Sequence, residues 1–334
     1  MSNSAKILTD QFDRVHKYLR ISLTEKCNLR CTYCMPAGGI QLSPKSHLMS
    51  HEEVYQIAKI FVQNGVNKIR LTGGEPLVRK DFAQILAQLS HLNVTLALTT
   101  NALLVDQYID DFKKYHLNKI NVSLDSLKAG KFAQITRRNQ FQKTYDNILL
   151  LLNNGFEVKI NTVLMKGVND DEILDFINLT KDLAINVRFI EFMPFDGNKW
   201  NQKQLVSQQE IINIAIERFG NKLIKLSDGP NYIARHFKIE AFKGQFGIIS
   251  SVSNPFCEVC DRIRLTADGK IKNCLFSNIE TDLLAKYRAG EPLEPLIYQA
   301  IYHKKAVRAG MDNFDKLKDP NRHTNNRSMT AIGG

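Results

Sequence analysis

Three cysteines at the spacing C-x3-C-x2-C, namely Cys27, Cys31 and Cys34, constrain this chain more than any other stretch. The loop reads C-N-L-R-C-T-Y-C, with the aromatic Tyr33 just ahead of the last cysteine. Three thiolates from one short loop can hold three corners of a cubane iron–sulfur cluster, whereas most electron-transfer clusters take four. One iron is then left open to another ligand. A structural zinc wants four ligands, and no fourth Cys or His lies near this loop.

All six cysteines fall into two such triads, the second being Cys257, Cys260 and Cys274. The first twenty residues are polar and mixed in charge, with no apolar stretch that reads as a signal peptide. No apolar run approaches the length of a membrane span. A cytoplasmic, reducing setting is therefore expected, where clustered cysteines bind metals more often than they form disulfides. The net charge of +11 favours a polyanionic partner, a nucleotide or a nucleic acid. The basic residues are scattered, so charge alone does not separate the two.

Short β-rich apolar runs end near Leu23, Leu71, Leu98, Leu124, Val163 and Phe192. Helical patterns lie between them, around 51–64, 80–91, 104–115, 143–154 and 170–184. Ser50 and Glu53 form a capping box for the first, Val54, Ile57, Ala58 and Phe61 make its apolar face, and Gly65 stops it. This alternation predicts parallel strands in an α/β fold, a partial (β/α)6 TIM-like barrel. Polar motifs follow nearly every strand: Thr24-Glu25-Lys26-Cys27, Thr72-Gly73-Gly74-Glu75-Pro76, Thr99-Thr100-Asn101, Ser123-Leu124-Asp125 and Glu191-Phe192-Met193-Pro194. The C-terminal strand ends of such barrels carry the active face.

After Pro194 the pattern changes. A polar stretch, a helix at 208–219 and strands at 236–242, 245–252 and 262–266 follow, with Asp268-Gly269 as a hairpin turn. We expect a barrel domain over 1–200 and a smaller C-terminal α+β domain over 201–334. Arg262 and Arg264 lie two apart on a strand and so project to one face, where paired guanidiniums make a phosphate clamp. The second triad also has three cysteines, not four. A second cluster with an open iron is the stronger reading, and a zinc site completed by a distant histidine is the alternative.

The cysteine loop and Gly73-Gly74-Glu75-Pro76 together resemble the radical S-adenosylmethionine (SAM) enzymes. Cys257-x2-Cys260-Asp261-Arg262-Ile263-Arg264-Leu265 and Asn273-Cys274-Leu275-Phe276 narrow the resemblance to the GTP 3′,8-cyclase family, which opens molybdenum cofactor biosynthesis. It runs from Tyr18-Leu19-Arg20 to the final Gly333-Gly334. The resemblance implies two [4Fe–4S] clusters and SAM as cofactors, with Cys27, Cys31, Cys34, Cys257, Cys260 and Cys274 as metal ligands. It implies SAM contacts at Tyr33, Gly74, Ser123 and Met193. GTP contacts are implied at Arg20, Arg70, Thr99, Lys159 and the stretch Arg262, Ile263 and Arg264. The Gly-Gly tail is expected to reach into the active site.

Implied partners are GTP, an electron donor and the next enzyme of the pathway, cyclic pyranopterin monophosphate synthase. Neither nucleic acid nor membrane is expected, and the chain is read as a monomer or homodimer. Ala102 departs from the Gly usual in the family, which is harmless unless its φ is positive. The competing readings are a radical SAM peptide maturase with an auxiliary cluster and a basic metal protein that binds RNA.

Overall fold

The computed structural model describes residues 7–36, 38–196, 198, 200–323 and 326–333. Six strands, β1 (Tyr18–Ser22), β2 (Lys68–Thr72), β3 (Thr95–Thr100), β4 (Lys119–Ser123), β5 (Glu157–Leu164) and β6 (Asn186–Glu191), lie parallel and adjacent in sequence order. Helices α1 (His51–Gln63), α2 (Phe82–Ser90), α3 (Ile109–Lys114), α4 (Ala129–Thr136), α5 (Phe141–Asn153) and α6 (Ile173–Asp182) fill the crossovers. The expected start of α1 is present in full: Ser50 Oγ accepts from the Glu53 amide and the Glu53 carboxylate accepts from the Ser50 amide at 2.7 Å. Val54, Ile57, Ala58 and Phe61 are its buried face.

Helix α4 has no counterpart in the sequence reading. Eight residues with Phe132 and Ile135 as buried apolar anchors give too short a period to stand out. The pattern over 104–115 splits into a tight turn at Val105–Gln107 and the short α3.

The strands sort their side chains by alternation. Leu19, Ile21, Ile69, Leu71, Ile120 and Val122 have no exposed surface and pack in the apolar core. Their neighbours Arg20, Arg70, Thr72, Asn121 and Arg188 are also buried, yet polar. Strands of a parallel sheet covered on both faces usually read as continuous apolar runs. Here the inner face is polar and largely cationic, so the interior of the curved sheet is a site and not a packed core.

Beyond residue 200 the chain forms α7 (Gln208–Phe219), β7 (Leu223–Lys225), β8 (Arg235–Ile239), β9 (Gln245–Ile249), β10 (Arg262–Leu265), β11 (Lys270–Lys272) and β12 (Thr281–Asp282). It builds no sheet of its own. β9 adds to β6 and β10 adds to β1, both parallel, and the order becomes β12-β11-β10-β1-β2-β3-β4-β5-β6-β9-β8-β7. The Asp268-Gly269 turn joins β10 to antiparallel β11, with Gly269 at φ +70°. One core cluster runs from Leu8 to Ile301 across both parts of the chain. Among the described residues, no helix is long and apolar enough to cross a membrane.

Candidate active site

A single cavity opens at the C-terminal ends of these strands, and all six cysteines line it. The first triad sits in a loop fastened from several sides. Arg30 donates to the carbonyls of Cys27 and Leu29, and Arg137 donates to those of Arg30 and Met35. The Leu29 amide points at Cys27 Sγ over 3.4 Å. The Tyr33 hydroxyl donates to Asp125 Oδ2 at 2.8 Å, fixing the loop to the end of β4.

Backbone at the end of β2 closes against this loop. The Gly74 amide donates to Thr24 O at 2.7 Å and the Glu75 amide to Lys26 O at 2.8 Å. A Cβ on Gly74 would lie 2.8 Å from Glu25 O and closer still to Lys26 O, so only glycine permits the approach. The Glu75 carboxylate, at the cavity wall, is held by the chain itself. It accepts from the Leu77 amide, from Thr100 Oγ1 and from the Asn101 amide at 2.7 to 3.1 Å. These three donors leave Oε2 with one hydrogen bond, from the Asn101 amide.

Burial pushes the Cys27 thiol up to about 11 and the Cys34 thiol up to about 12, and Cys31 rises well above its ordinary value. Such thiols are poor free nucleophiles and become thiolates only against a metal's charge. Three thiols on one cavity suit a cluster, in which each cysteine binds a different iron.

The second triad has a different electrostatic setting. Burial alone would raise the Cys260 thiol, but Lys304 and Arg262 draw it down to about 6. Arg14 donates to Cys257 O at 2.8 Å and to Ala306 O at 2.9 Å, tying the N-terminal segment under the triad.

A cluster of guanidiniums lines the same cavity, with Arg262 and Arg264 within electrostatic reach of the second triad. Burial, with Arg70 and Arg262 nearby, lowers Arg20 to about 10; burial and Arg70 lower Arg188 to about 10. Arg264 falls well below its ordinary value for the same reason, burial and then Arg20. The buried Nε atoms of Arg188 and Arg262 meet no hydrogen-bond partner. Crowded, dehydrated cations with unused donors call for an anion.

The structure brings most of the expected positions to this cavity. Tyr33, Gly74, Ser123 and Met193 border it, as do Arg20, Thr99, Arg262 and Arg264. Three do not. Arg70 lies behind the wall, donating to Tyr18 Oη and Leu98 O at 2.5 Å each. Lys159 pairs with Glu157. The Ile263 side chain is wholly buried in the apolar core.

Arg188 and Arg308 line the cavity and were not anticipated. Arg188 was legible in principle, because it alternates with the core residues Val187 and Phe189 on β6. Arg308 was not, because it sits in an irregular turn at φ +38°. The tail does enter the site. Met329 and Thr330 border the cavity, and Arg264 donates to Gly333 O. Gly333, at φ +77°, packs against Thr72 and Ser22; Gly334 lies outside the described residues.

Comparison with known proteins agrees with this geometry. Residues 21–180 match the Radical SAM superfamily and residues 185–309 match Molybdenum Cofactor Synthesis C. The chain is 46% identical to "GTP 3′,8-cyclase, mitochondrial" of Arabidopsis thaliana, over 98% of this chain and 84% of that protein. It is 41% identical to "GTP 3′,8-cyclase" of Clostridium botulinum, over 89% of this chain and 93% of that protein. It is also 47% identical to "Molybdenum cofactor biosynthesis protein 1" of Mus musculus, of which it spans 51%, about half the length. Streptococcus suis SuiB bound to S-adenosylmethionine shares the fold, at a TM-score of 0.59 and 16% identity over 83% of this chain and 67% of that one. Membership implies SAM and a [4Fe–4S] cluster, and the C-terminal match fits a second cluster. The chain belongs to the radical SAM superfamily, within its GTP 3′,8-cyclase family.

Proposed function

We propose that this chain converts GTP to (8S)-3′,8-cyclo-7,8-dihydroguanosine 5′-triphosphate, the first step of molybdenum cofactor biosynthesis. The observation that carries the reading is one cavity lined by both cysteine triads and by a cluster of guanidiniums. When bound at Cys27, Cys31 and Cys34, the cluster and SAM supply a 5′-deoxyadenosyl radical able to remove a hydrogen atom.

The chain's own residues do the positioning. The Gly73-Gly74 backbone packs against the cysteine loop and so sets the wall on which SAM would lie, with Tyr33, Ser123 and Met193 bordering the same cavity. Arg20, Arg262 and Arg264 neutralise the triphosphate, with Arg70 and Lys159 behind them and Thr99 beside it. Arg188 joins this group. Cys257, Cys260 and Cys274 hold the second cluster against the guanine end. GTP fixed at both ends presents only its ribose C3′, so orientation sets which hydrogen leaves. The C3′–C8 bond then forms, and the ring system gains one electron and one proton. A low-potential protein donor supplies electrons, and cyclic pyranopterin monophosphate synthase consumes the product. The six thiols require a reducing compartment, which we take to be the cytoplasm.

GTP deuterated at C3′ tests the reading. Deuterium appearing in 5′-deoxyadenosine supports it. Unlabelled 5′-deoxyadenosine formed alongside unchanged GTP would contradict it.

A further inference from the structure

Lys304 is a buried cation that makes no ion pair with a carboxylate among the described residues. It is 3% exposed, and its Nζ lies 2.9 Å from His16 Nε2, 3.1 Å from Arg262 O, 3.2 Å from Cys260 O and 3.6 Å from Cys260 Sγ. His16 is held neutral, its pKa driven down to about 3 by burial first and then by Lys304, so its ring nitrogen serves as an uncharged acceptor. Asp10, beside His16, is engaged at 2.6 Å by Arg14, and Asp261, next to Cys260, lies within electrostatic reach of both Arg262 and Lys304. At the Cys260 sulfur itself the leading charges are those of Lys304 and then Arg262. The two carbonyls and the ring nitrogen hold the ammonium group in place, and the sulfur contact is what sets its charge against Cys260.

The two triads differ in this respect. Among the described residues, Cys27 Sγ accepts hydrogen bonds from neutral donors, the Leu29 amide at 3.4 Å and Asn101 Nδ2 at 3.9 Å. The buried carboxyls of Glu75 and Asp125 act on the first triad, with the Arg30 guanidinium opposing them at Cys27, whereas Lys304 and Arg262 are the leading charges at Cys260. Hydrogen bonds and charge at cluster sulfurs tune reduction potential, because the reduced cluster carries one more negative charge.

We propose that Lys304 is a positioning residue that acts through Cys260, donating to its sulfur and raising the reduction potential of the second cluster above that of the first. The proposal rests on reading Cys257, Cys260 and Cys274 as cluster ligands. Two clusters in one cavity then have unequal affinity for an electron, and the substrate end of the site is the easier to reduce.

The test uses the full chain with Cys27, Cys31 and Cys34 changed to Ala, so that only the second cluster remains. Iron and sulfide are counted after anaerobic reconstitution, and the midpoint potential is read by electron paramagnetic resonance during a redox titration. If this protein holds no cluster, the ligand reading itself fails. If it does, Lys304→Met and Lys304→Gln are compared with it. The expected result is an intact cluster whose midpoint moves to a more negative potential, more so for Met than for Gln. An unchanged midpoint overturns the proposal. Loss of iron from both variants, with folding unaltered by circular dichroism, overturns it in favour of a purely structural role.

Discussion

The Tyr33 hydroxyl donates to Asp125 Oδ2 at 2.8 Å, linking the residue before the third cysteine to the end of β4. The Val163 amide donates to the other carboxylate oxygen at 2.9 Å. Burial pushes Asp125 up to about 6 even with these donors in place. Tyr33→Phe would leave a buried carboxyl short of a partner, a loss of about 1–3 kcal/mol. Urea unfolding of the reconstituted protein under anaerobic conditions measures it. Asp125→Asn keeps an acceptor and should cost less; equal losses would contradict this role for the pair.

Ala102 stands where the family usually has Gly, and its φ is +64°. The condition under which Ala is strained is therefore met. The conformation is imposed by neighbours: the Ala102 amide donates to Thr100 Oγ1 at 3.0 Å, and Asn147 Nδ2 donates to Ala102 O at 2.7 Å. A left-handed non-glycine residue costs of order 1 kcal/mol. Ala102→Gly should stabilise the protein by about 1 kcal/mol in urea unfolding, less the entropy that glycine adds to the unfolded chain. A destabilised variant would show that the methyl, fully buried in the core, contributes more than the strain.

Gly74→Ala is expected to abolish SAM binding, because the new Cβ would press on the backbone of Lys26 and Glu25 beside the cysteine loop. Isothermal titration with SAM measures this. Gly38→Ala, where nothing lies within 4 Å of the added carbon, is the control and should bind normally. Similar affinities for the two variants would remove the close approach from the account.

His16 gives a pH dependence with a defined sign. Burial, then Lys304, lowers it from 6.5 to about 3. Between those values the unfolded chain binds the proton and the folded chain does not, so this group's contribution is complete above 6.5 and is lost as pH falls toward 3. His16→Gln should flatten that part of the acid limb in unfolding measurements. An identical slope in the variant would mean that other groups set it.

Much of the site could be read because its residues are tied to short, local patterns. The two cysteine spacings, Gly73-Gly74 and the alternation of Arg262 and Arg264 all depend on nearest neighbours. What escaped depends on pairing across long separations. β10 joins β1 and β9 joins β6, so the C-terminal residues extend the barrel's own sheet, and no local pattern announces this. Lys304 reaches Cys260 across 44 residues and Tyr33 reaches Asp125 across 92. The three donors to Glu75, on Leu77, Thr100 and Asn101, are likewise set by the turn it caps and by the end of β3, which its motif does not announce.

The central claim is that one cavity couples SAM cleavage to GTP. The most direct measurement reconstitutes the protein anaerobically with iron and sulfide, reduces it, and follows 5′-deoxyadenosine by mass spectrometry with and without GTP. The account predicts release that depends on GTP, accompanied by a cyclised guanosine triphosphate, and no release from Cys27→Ala protein. Slow release indifferent to GTP would contradict the substrate and leave only the radical chemistry; unchanged release from the cysteine variant would contradict both.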